Sequence, residues 1–392
     1  MKILFFSPAP TKKEPTLCPF IYQRILGLKK HNIDVVVLQY GNIYIHEMNK
    51  KKKKNFILRS FFSLFHFIKN AFQIRILHTY GDSNGFYKYY NHLHFYTYNE
   101  FKRWFCKQGF DFIHGHFLWF SELLPTIKLN CEIPYIVTCH GSDVHETPFL
   151  DLKKQSIYKN ILLNADWTIF VSEFLKNRST EFGYDSENFS IIYNGFNKNI
   201  FNTTGVHKNK DKYIIGFVGH TIPVKRAGIL PDIFKIIKEK LPNSFFYLIG
   251  SDNSNNDLTD IIIDKINRFN LQDSFFLLGS QPQNEVAKYM KTMNVLVLPS
   301  INEGFSCVII EAQACGVGAV TSCNGGIPEG VSDCGICVPE SDNFIEDFAE
   351  SVIKYLKNPT KIQKLIEHSK SFTWEKCISQ EIDVYNKISA KQ

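Results

Sequence analysis

Pro299–Gly330 reads PSINEGFSCVIIEAQACGVGAVTSCNGGIPEG, and the fold turns on how this stretch is read. It leaves the apolar run Val295–Pro299, a predicted strand, and places Glu303 and Gly304 just beyond that strand's end. A helix is predicted over Ser306–Cys315, with Glu311 on its second turn, and Gly318–Ser322 reads as the next strand. A helix that starts where a strand ends offers free backbone N–H groups and the positive end of its dipole, a natural seat for a phosphate. Gly304 lets backbone approach a ligand closely. A carboxylate beside such a seat accepts hydrogen bonds from sugar hydroxyls.

The same grammar extends in both directions. Towards the C-terminus, strands are predicted at Tyr213–Gly219, Phe245–Gly250, Ser274–Gly279 and Ile336–Val338, with helices at Ile229–Leu241, Thr259–Asn270 and Asn284–Met293. Towards the N-terminus, strands are predicted at Lys2–Phe6, Val35–Gln39, Asp111–Gly115, Tyr135–His140, Trp167–Val171 and Ser190–Ile192, with a helix at Phe20–Lys30. Continuous apolar strands alternating with helices imply parallel sheets covered on both faces. The polar stretch Asn197–Asp211 reads as a linker. The expectation is an α/β chain with two Rossmann-like domains, ligands binding beyond the carboxyl ends of the strands.

Glu303-x(7)-Glu311, Ala314-Cys315-Gly316 and Gly325-Gly326-Ile327-Pro328-Glu329 resemble the signature of the family 4 retaining glycosyltransferases of GT-B fold. Phe217-Val218-Gly219 with Lys225 is similar to that family's diphosphate-binding strand and loop. His140-Gly141-Ser142-Asp143 resembles its HG loop, Val171-Ser172 its VS element, and Asn194-Gly195-Phe196 its domain-closing turn. Phe372-Thr373-Trp374 is similar to its C-terminal crossing segment.

The resemblance implies an N-terminal acceptor-side domain over residues 1–197 and a nucleotide-sugar-binding domain over 212–372, with a cleft between them. A last helix, 373–392, would cross back to the first domain. It implies that Glu311 binds the ribose hydroxyls, Glu303 the donor sugar and Lys225 the diphosphate, while His140 sits over the transferred sugar. Backbone at Phe305, Ser306 and Cys307 would cradle the phosphates, with Gly219, His220, Arg226 and Gly304 also on the donor. The donor it implies is a nucleoside diphosphate sugar, a UDP-sugar favoured over a GDP-sugar, and the acceptor it implies is a hydroxyl of a glycan or lipid-linked glycan. No cofactor and no metal is implied, because a lysine and a helix dipole stabilise the leaving diphosphate. Two departures stand out. His220 replaces the family's usual arginine, and Ser7-Pro8-Ala9-Pro10-Thr11-Lys12-Lys13 replaces its glycine-rich first loop.

Composition narrows the class. Of 392 residues, 44% are hydrophobic and 21% charged, which fits a globular enzyme rather than a disordered chain. No apolar run is long enough for a membrane-spanning helix, and Met1–Pro8 is too short an apolar stretch for a signal peptide. The ten cysteines, several in apolar runs (Cys139, Cys307, Cys315), read as reduced thiols of a cytoplasmic protein. Cys334-x-x-Cys337 lacks the second pair that a zinc site needs, and His92/His94 and His114/His116 are assigned to core or solvent.

The net charge of +7 divides into +9 over residues 1–200 and −2 over the rest. Lys50–Leu77 carries eight basic and no acidic residues among many Phe, the pattern of a segment lying on an anionic membrane surface. That would place the enzyme on the inner face of the membrane, with no nucleic-acid partner. Two rival functions share Rossmann-like strands or the fold itself. A nicotinamide oxidoreductase needs G-x-G-x-x-G after a first strand, which neither Leu4–Leu17 nor Val218–Leu230 contains. A non-catalytic scaffold of a glycosylation complex is favoured by His220 and opposed by Lys225, Glu303 and Glu311.

Overall fold

The computed structural model describes residues 1–8, 18–45, 88–90, 93–95, 97–206, 208–209, 211–251 and 256–390. The segment Lys50–Leu77 and most of the first loop, from Ala9 on, lie outside them. The chain forms two compact units. One comprises Met1–Val171, Lys176–Ile192 and Ile378–Gln392, the other Ser172–Leu175 and Tyr193–Cys377.

The strands are β1 Lys2–Ser7, β2 Asp34–Gln39, β3 Ile43–Ile45, β4 Lys88–Tyr90, β5 Leu93–Phe95, β6 Phe112–His116, β7 Tyr135–Cys139, β8 Trp167–Phe170 and β9 Phe189–Ile191 in the first unit. The second unit has β10 Tyr213–Val218, β11 Ser244–Ile249, β12 Phe275–Leu277, β13 Val295–Leu298, β14 Gly318–Ser322 and β15 Ile336–Val338. The first main sheet runs β4-β2-β1-β6-β7-β8-β9 and the second β12-β11-β10-β13-β14-β15. Both are parallel throughout. A small parallel pair, β3-β5, stands apart.

The all-apolar strand reading holds because both faces are covered. All five residues of β6, all five of β7 and all four of β13 are buried. Phe5, Phe6, Phe112, Phe170 and Phe217 are each 0% exposed, and burying one such ring stabilises the fold by about 1.5–3 kcal/mol. The edge strand β4 was not anticipated. Its three residues, Lys-Tyr-Tyr, carry too little pattern to stand out.

The helix Pro19–Lys30 shows why the intervening segments coil. Proline occupies its first turn, Lys29 and Lys30 its last, and Ile21, Arg24, Ile25 and Leu28 form its buried stripe. Arg24 on that stripe is a fully buried cation, and its partner comes from the other end of the chain. The Arg24 guanidinium pairs with the Glu381 carboxylate inside the first unit, both side chains 0% exposed. Among the described residues the ten cysteines are free thiols: Cys139 and Cys315 are buried, Cys307 half-buried.

Candidate active site

In the second unit the motif residues gather at the carboxyl ends of β10 and β13, which are neighbours in the sheet. The chain leaves β10 at Gly219, whose N–H donates to the Ile249 carbonyl at 3.0 Å. The next loop passes so close that a Cβ on Gly250, at φ +129°, would lie 2.0 Å from the Gly219 oxygen. His220 is exposed, and its Nδ1 lies 3.1 Å from the Ser251 carbonyl. That contact makes Nδ1 the protonated nitrogen and turns Nε2 away.

A single 3-10 turn, Pro223–Lys225, follows. The Ile301 N–H donates to the Val224 carbonyl at 2.8 Å, tying this turn to the loop that carries Glu303. The Lys225 ammonium and the Glu303 carboxylate form an ion pair, with side chains 19% and 13% exposed. Arg226 points elsewhere. Its guanidinium donates two parallel hydrogen bonds to Glu340, at 2.8 and 2.9 Å, and stacks over the Phe344 ring at 4.7 Å. Lys225 is therefore the cation held beside Glu303, and Arg226 is committed to another carboxylate.

Gly304, Phe305 and Ser306 are buried and lead into the helix Cys307–Ala314. Ser306 occupies the cap position, yet no side chain caps the helix, so its N-terminal dipole is open to an anion. Glu311 is half-buried on the second turn, and among the described residues its carboxylate has no hydrogen-bonding or ion-pair partner. Burial pushes this carboxyl up to about 7. The same burial, reinforced by the Glu311 charge, raises the Cys307 thiol, so that thiol stays protonated.

The glycine pair of the motif has a steric reason. A Cβ on Gly325, at φ +64°, would sit 2.3 Å from the Glu303 carbonyl oxygen, and one on Gly326 would sit 2.1 Å from that of Gly304. The Gly326 N–H donates to the Glu303 carbonyl at 2.8 Å. Glu329 then anchors the segment, accepting from the backbone N–H of Glu173 (2.8 Å) and Phe174 (2.9 Å) and from the Tyr193 hydroxyl (2.9 Å). Asn194-Gly195-Phe196 lies against Phe372-Thr373-Trp374. Phe196 bridges Thr373, and a Cβ on Gly195 would meet the Trp374 nitrogen at 2.4 Å.

In the first unit His140 follows β7. Its own N–H and that of Gly141 donate to Asp143 at 3.2 and 2.8 Å, and the Leu118 N–H donates to the same carboxylate at 3.1 Å. Burial raises the Asp143 carboxyl to about 6 against the pull of these donors. The His140 ring lies against Phe20 (4.8 Å) and Phe117 (4.6 Å), and its Nε2 is 3.1 Å from Nδ1 of His116. Burial, with Arg24 and His114 nearby, drives its pKa well below the ordinary value, so the ring is neutral at pH 7. The sequence leaves His114-x-His116 to core or solvent. Both rings are indeed buried, and His116 is in addition the hydrogen-bonding neighbour of His140.

No group of described residues has the composition of a metal site. No described helix is long and apolar enough to cross a membrane.

Comparison with known proteins bears on the family and the fold. The model of the group 1 glycosyl transferases matches residues 201–372, and that of glycosyltransferase family 4 matches residues 20–199. An uncharacterized glycosyltransferase of Methanocaldococcus jannaschii is 31% identical over 290 residues, 72% of this chain and 77% of that protein. Among solved structures, a sucrose-phosphate synthase from Thermosynechococcus elongatus superposes with a TM-score of 0.72 at 19% identity over 100% of both chains. HepE of Anabaena, solved in complex with UDP-glucose, superposes with a TM-score of 0.69 at 15% identity, also over 100% of both. With two parallel-sheet Rossmann-like units and matches to these families over nearly its whole length, the chain belongs to the family 4 glycosyltransferases of GT-B fold.

Proposed function

We propose that the protein is a retaining, metal-independent hexosyl- or N-acetylhexosaminyltransferase. It moves a sugar from a nucleoside diphosphate donor to a hydroxyl of a glycan or lipid-linked glycan in cell-surface polysaccharide assembly. The observation that carries this reading is the Lys225–Glu303 pair beside an uncapped helix N-terminus, with Glu311, unpartnered among the described residues, one turn further on. A cation and a helix dipole suit a diphosphate, and two carboxylates suit the hydroxyls of a ribose and a sugar. HepE's complex with UDP-glucose supports UDP as the nucleotide.

In this mechanism the donor separates the ion pair. Lys225 moves to the diphosphate and Glu303 to the sugar hydroxyls, so neither charge is left unpaired in the half-buried site. The bond from the anomeric carbon to the phosphate oxygen breaks while the acceptor oxygen bonds to the same face. The departing diphosphate takes the acceptor's proton, so no protein base is required. Charge grows on the diphosphate, where Lys225 and the helix N-terminus stabilise it. The basic, Phe-rich Lys50–Leu77 is proposed to hold the protein at an anionic membrane carrying the acceptor.

The test is release of free nucleoside diphosphate from a panel of UDP- and GDP-sugars, with and without chelator, followed by NMR of the product. UDP release that persists in chelator, with the donor's anomeric configuration kept, is expected. Inversion, or a complete loss rescued by metal, overturns the mechanism. Binding of UDP without turnover of any donor would favour a non-catalytic scaffold. Sedimentation with anionic vesicles, lost when Lys50–Lys54 are changed to Gln, tests the membrane reading.

A further inference from the structure

His140 stands in an enclosure formed by His116, Phe117 and Phe20. His116, the last residue of β6, is 0% exposed and points the same way as His114 two residues earlier. The three imidazoles stack in series, His114 on His116 at 4.2 Å and His116 on His140 at 5.4 Å, with interplanar angles of 27° and 29°. The far end of the column is pinned by hydrogen bonds. The Tyr385 hydroxyl donates to Glu381, so its oxygen accepts from Nδ1–H of His114 at 2.9 Å. Nε2 of His114 then accepts from the Thr138 hydroxyl at 2.7 Å. With both nitrogens engaged in definite roles, His114 is a fixed neutral tautomer and a rigid floor for His116.

The next residue is held out of its relaxed conformation. Phe117 has φ +67° and ψ 140°, a region essentially closed to a residue with a bulky side chain and costing about 1–3 kcal/mol. Its backbone is held on both sides, the N–H by the Thr138 carbonyl at 3.0 Å and the carbonyl by the Ser121 hydroxyl at 2.9 Å. The strained turn lays the Phe117 ring against His140. With Phe20 on the ring as well, His140 is bounded by three side chains and bonded through Nε2 to one of them.

We propose that His116 is a positioning residue for the transfer reaction, holding His140 in a single ring orientation and a single neutral tautomer. The consequence for catalysis rests on the function proposed above, together with the family resemblance that implies His140 over the transferred sugar. An imidazole offers its two nitrogens in opposite roles, and the bond made by one dictates what the other presents. A ring free to flip or to exchange tautomers would present the correct atom only part of the time. Misplacement of about 1 Å at a reacting centre costs on the order of 10² in rate.

The experiment uses the full chain and two variants. His116→Phe keeps the stacked ring and removes the nitrogen, whereas His116→Asn keeps a polar atom at the position of Nδ1. Long-range ¹H–¹⁵N spectra of the ligand-free protein, with the His140 signals assigned through His140→Gln, report the tautomer directly. One tautomer is expected in the wild type and in His116→Asn, and averaged nitrogen shifts in His116→Phe. Averaged shifts in the wild type, or an unchanged pattern in His116→Phe, would overturn the proposal. Turnover of UDP-glucose supplies the second readout. His116→Phe is expected to lower kcat by about 10- to 100-fold with KM nearly unchanged, and His116→Asn to recover most of it. A raised KM at constant kcat would also overturn it. If the wild type turns over no nucleotide sugar, the donor reading fails while the spectra still decide the role of His116.

Discussion

The two units are built on similar parallel sheets but use their polar groups in opposite ways. In the first, Arg24, Glu381, Tyr385 and His114 are all buried and joined to one another, with His116 stacked on their edge. In the second, the groups at the strand ends are only partly buried and only provisionally satisfied. Lys225 and Glu303 neutralise each other, Glu311 has no partner among the described residues, and the helix Cys307–Ala314 has no side-chain cap. A buried pair of charges is stiff because breaking it leaves an uncompensated charge inside the protein. A half-buried pair near an uncapped helix end exchanges partners at lower cost. One unit is pre-organised around a ring, and the other carries the groups proposed to meet the donor's diphosphate and hydroxyls.

The largest effect that can break this contrast lies in the buried pair. Arg24→Ala or Glu381→Ala should destabilise the protein by about 3–5 kcal/mol in denaturant unfolding, because each leaves an uncompensated buried charge. The double change Arg24→Met with Glu381→Leu should recover much of that loss. A cost below about 1 kcal/mol for either alanine would mean that water reaches the site and that the pair is not sealed from solvent.

In the second unit the losses should appear in activity. Lys225→Ala is expected to lower kcat/KM for the donor by about 10²–10³, the size of losing one strong electrostatic stabiliser. A loss under tenfold would shift the burden to His220 or to the helix terminus.

Glu311 gives a smaller, pH-dependent signal. Glu311→Ala should weaken UDP binding by about tenfold or more in calorimetric titration, since hydrogen bonds to a charged group contribute about 1.5–3 kcal/mol. The carboxyl is raised to about 7, so its ionised form is disfavoured in the folded protein. Its contribution to stability is therefore fully present below the ordinary carboxylate pKa and is lost as pH rises through about 7. Binding that uses the carboxylate runs the other way, and affinity should fall as pH drops below about 7. Glu311→Gln should remove that part of the slope and leave only the titration of the phosphate itself. An identical slope in wild type and variant would separate Glu311 from the nucleotide.

The smallest effect sharpens the assignment of charge. Arg226 is bonded to Glu340 across a partly exposed pair, so Arg226→Ala should change kcat/KM less than about fivefold, in line with the small worth of exposed ion pairs. A loss comparable to that of Lys225→Ala would mean that Arg226 leaves Glu340 for the donor.

The backbone architecture was legible because its signals are local. Val295–Leu298 and Gly318–Ser322 are runs buried on both faces, and the strands found there and at Ile336–Val338 match the expectation to within a residue. The helix carrying Glu311, expected at Ser306–Cys315, is found at Cys307–Ala314. Glu303, Gly304, Gly325 and Gly326 were legible as a motif, and the structure adds the close backbone approach that requires the two later glycines.

Which side chain holds which could not be read in this way. Lys225 meets Glu303 across 78 residues, Arg226 meets Glu340 across 114, and Arg24 meets Glu381 across 357. Spacing along the chain carries no information about such pairs, and the partners of the neighbours Lys225 and Arg226 cannot be read from it. What separates them is the left-handed turn at Arg226, φ +50°, which sends consecutive side chains in different directions. His116 escaped for the same reason. A histidine on a buried strand looks like any core residue until the sheet register carries β6 and β7 to a common edge and the loop after β7 returns His140 onto it. Sequence periodicity determined the sheets because burial acts on every residue of a strand. The tertiary structure alone decided the partners, because each pairing depends on where two distant strand ends finish.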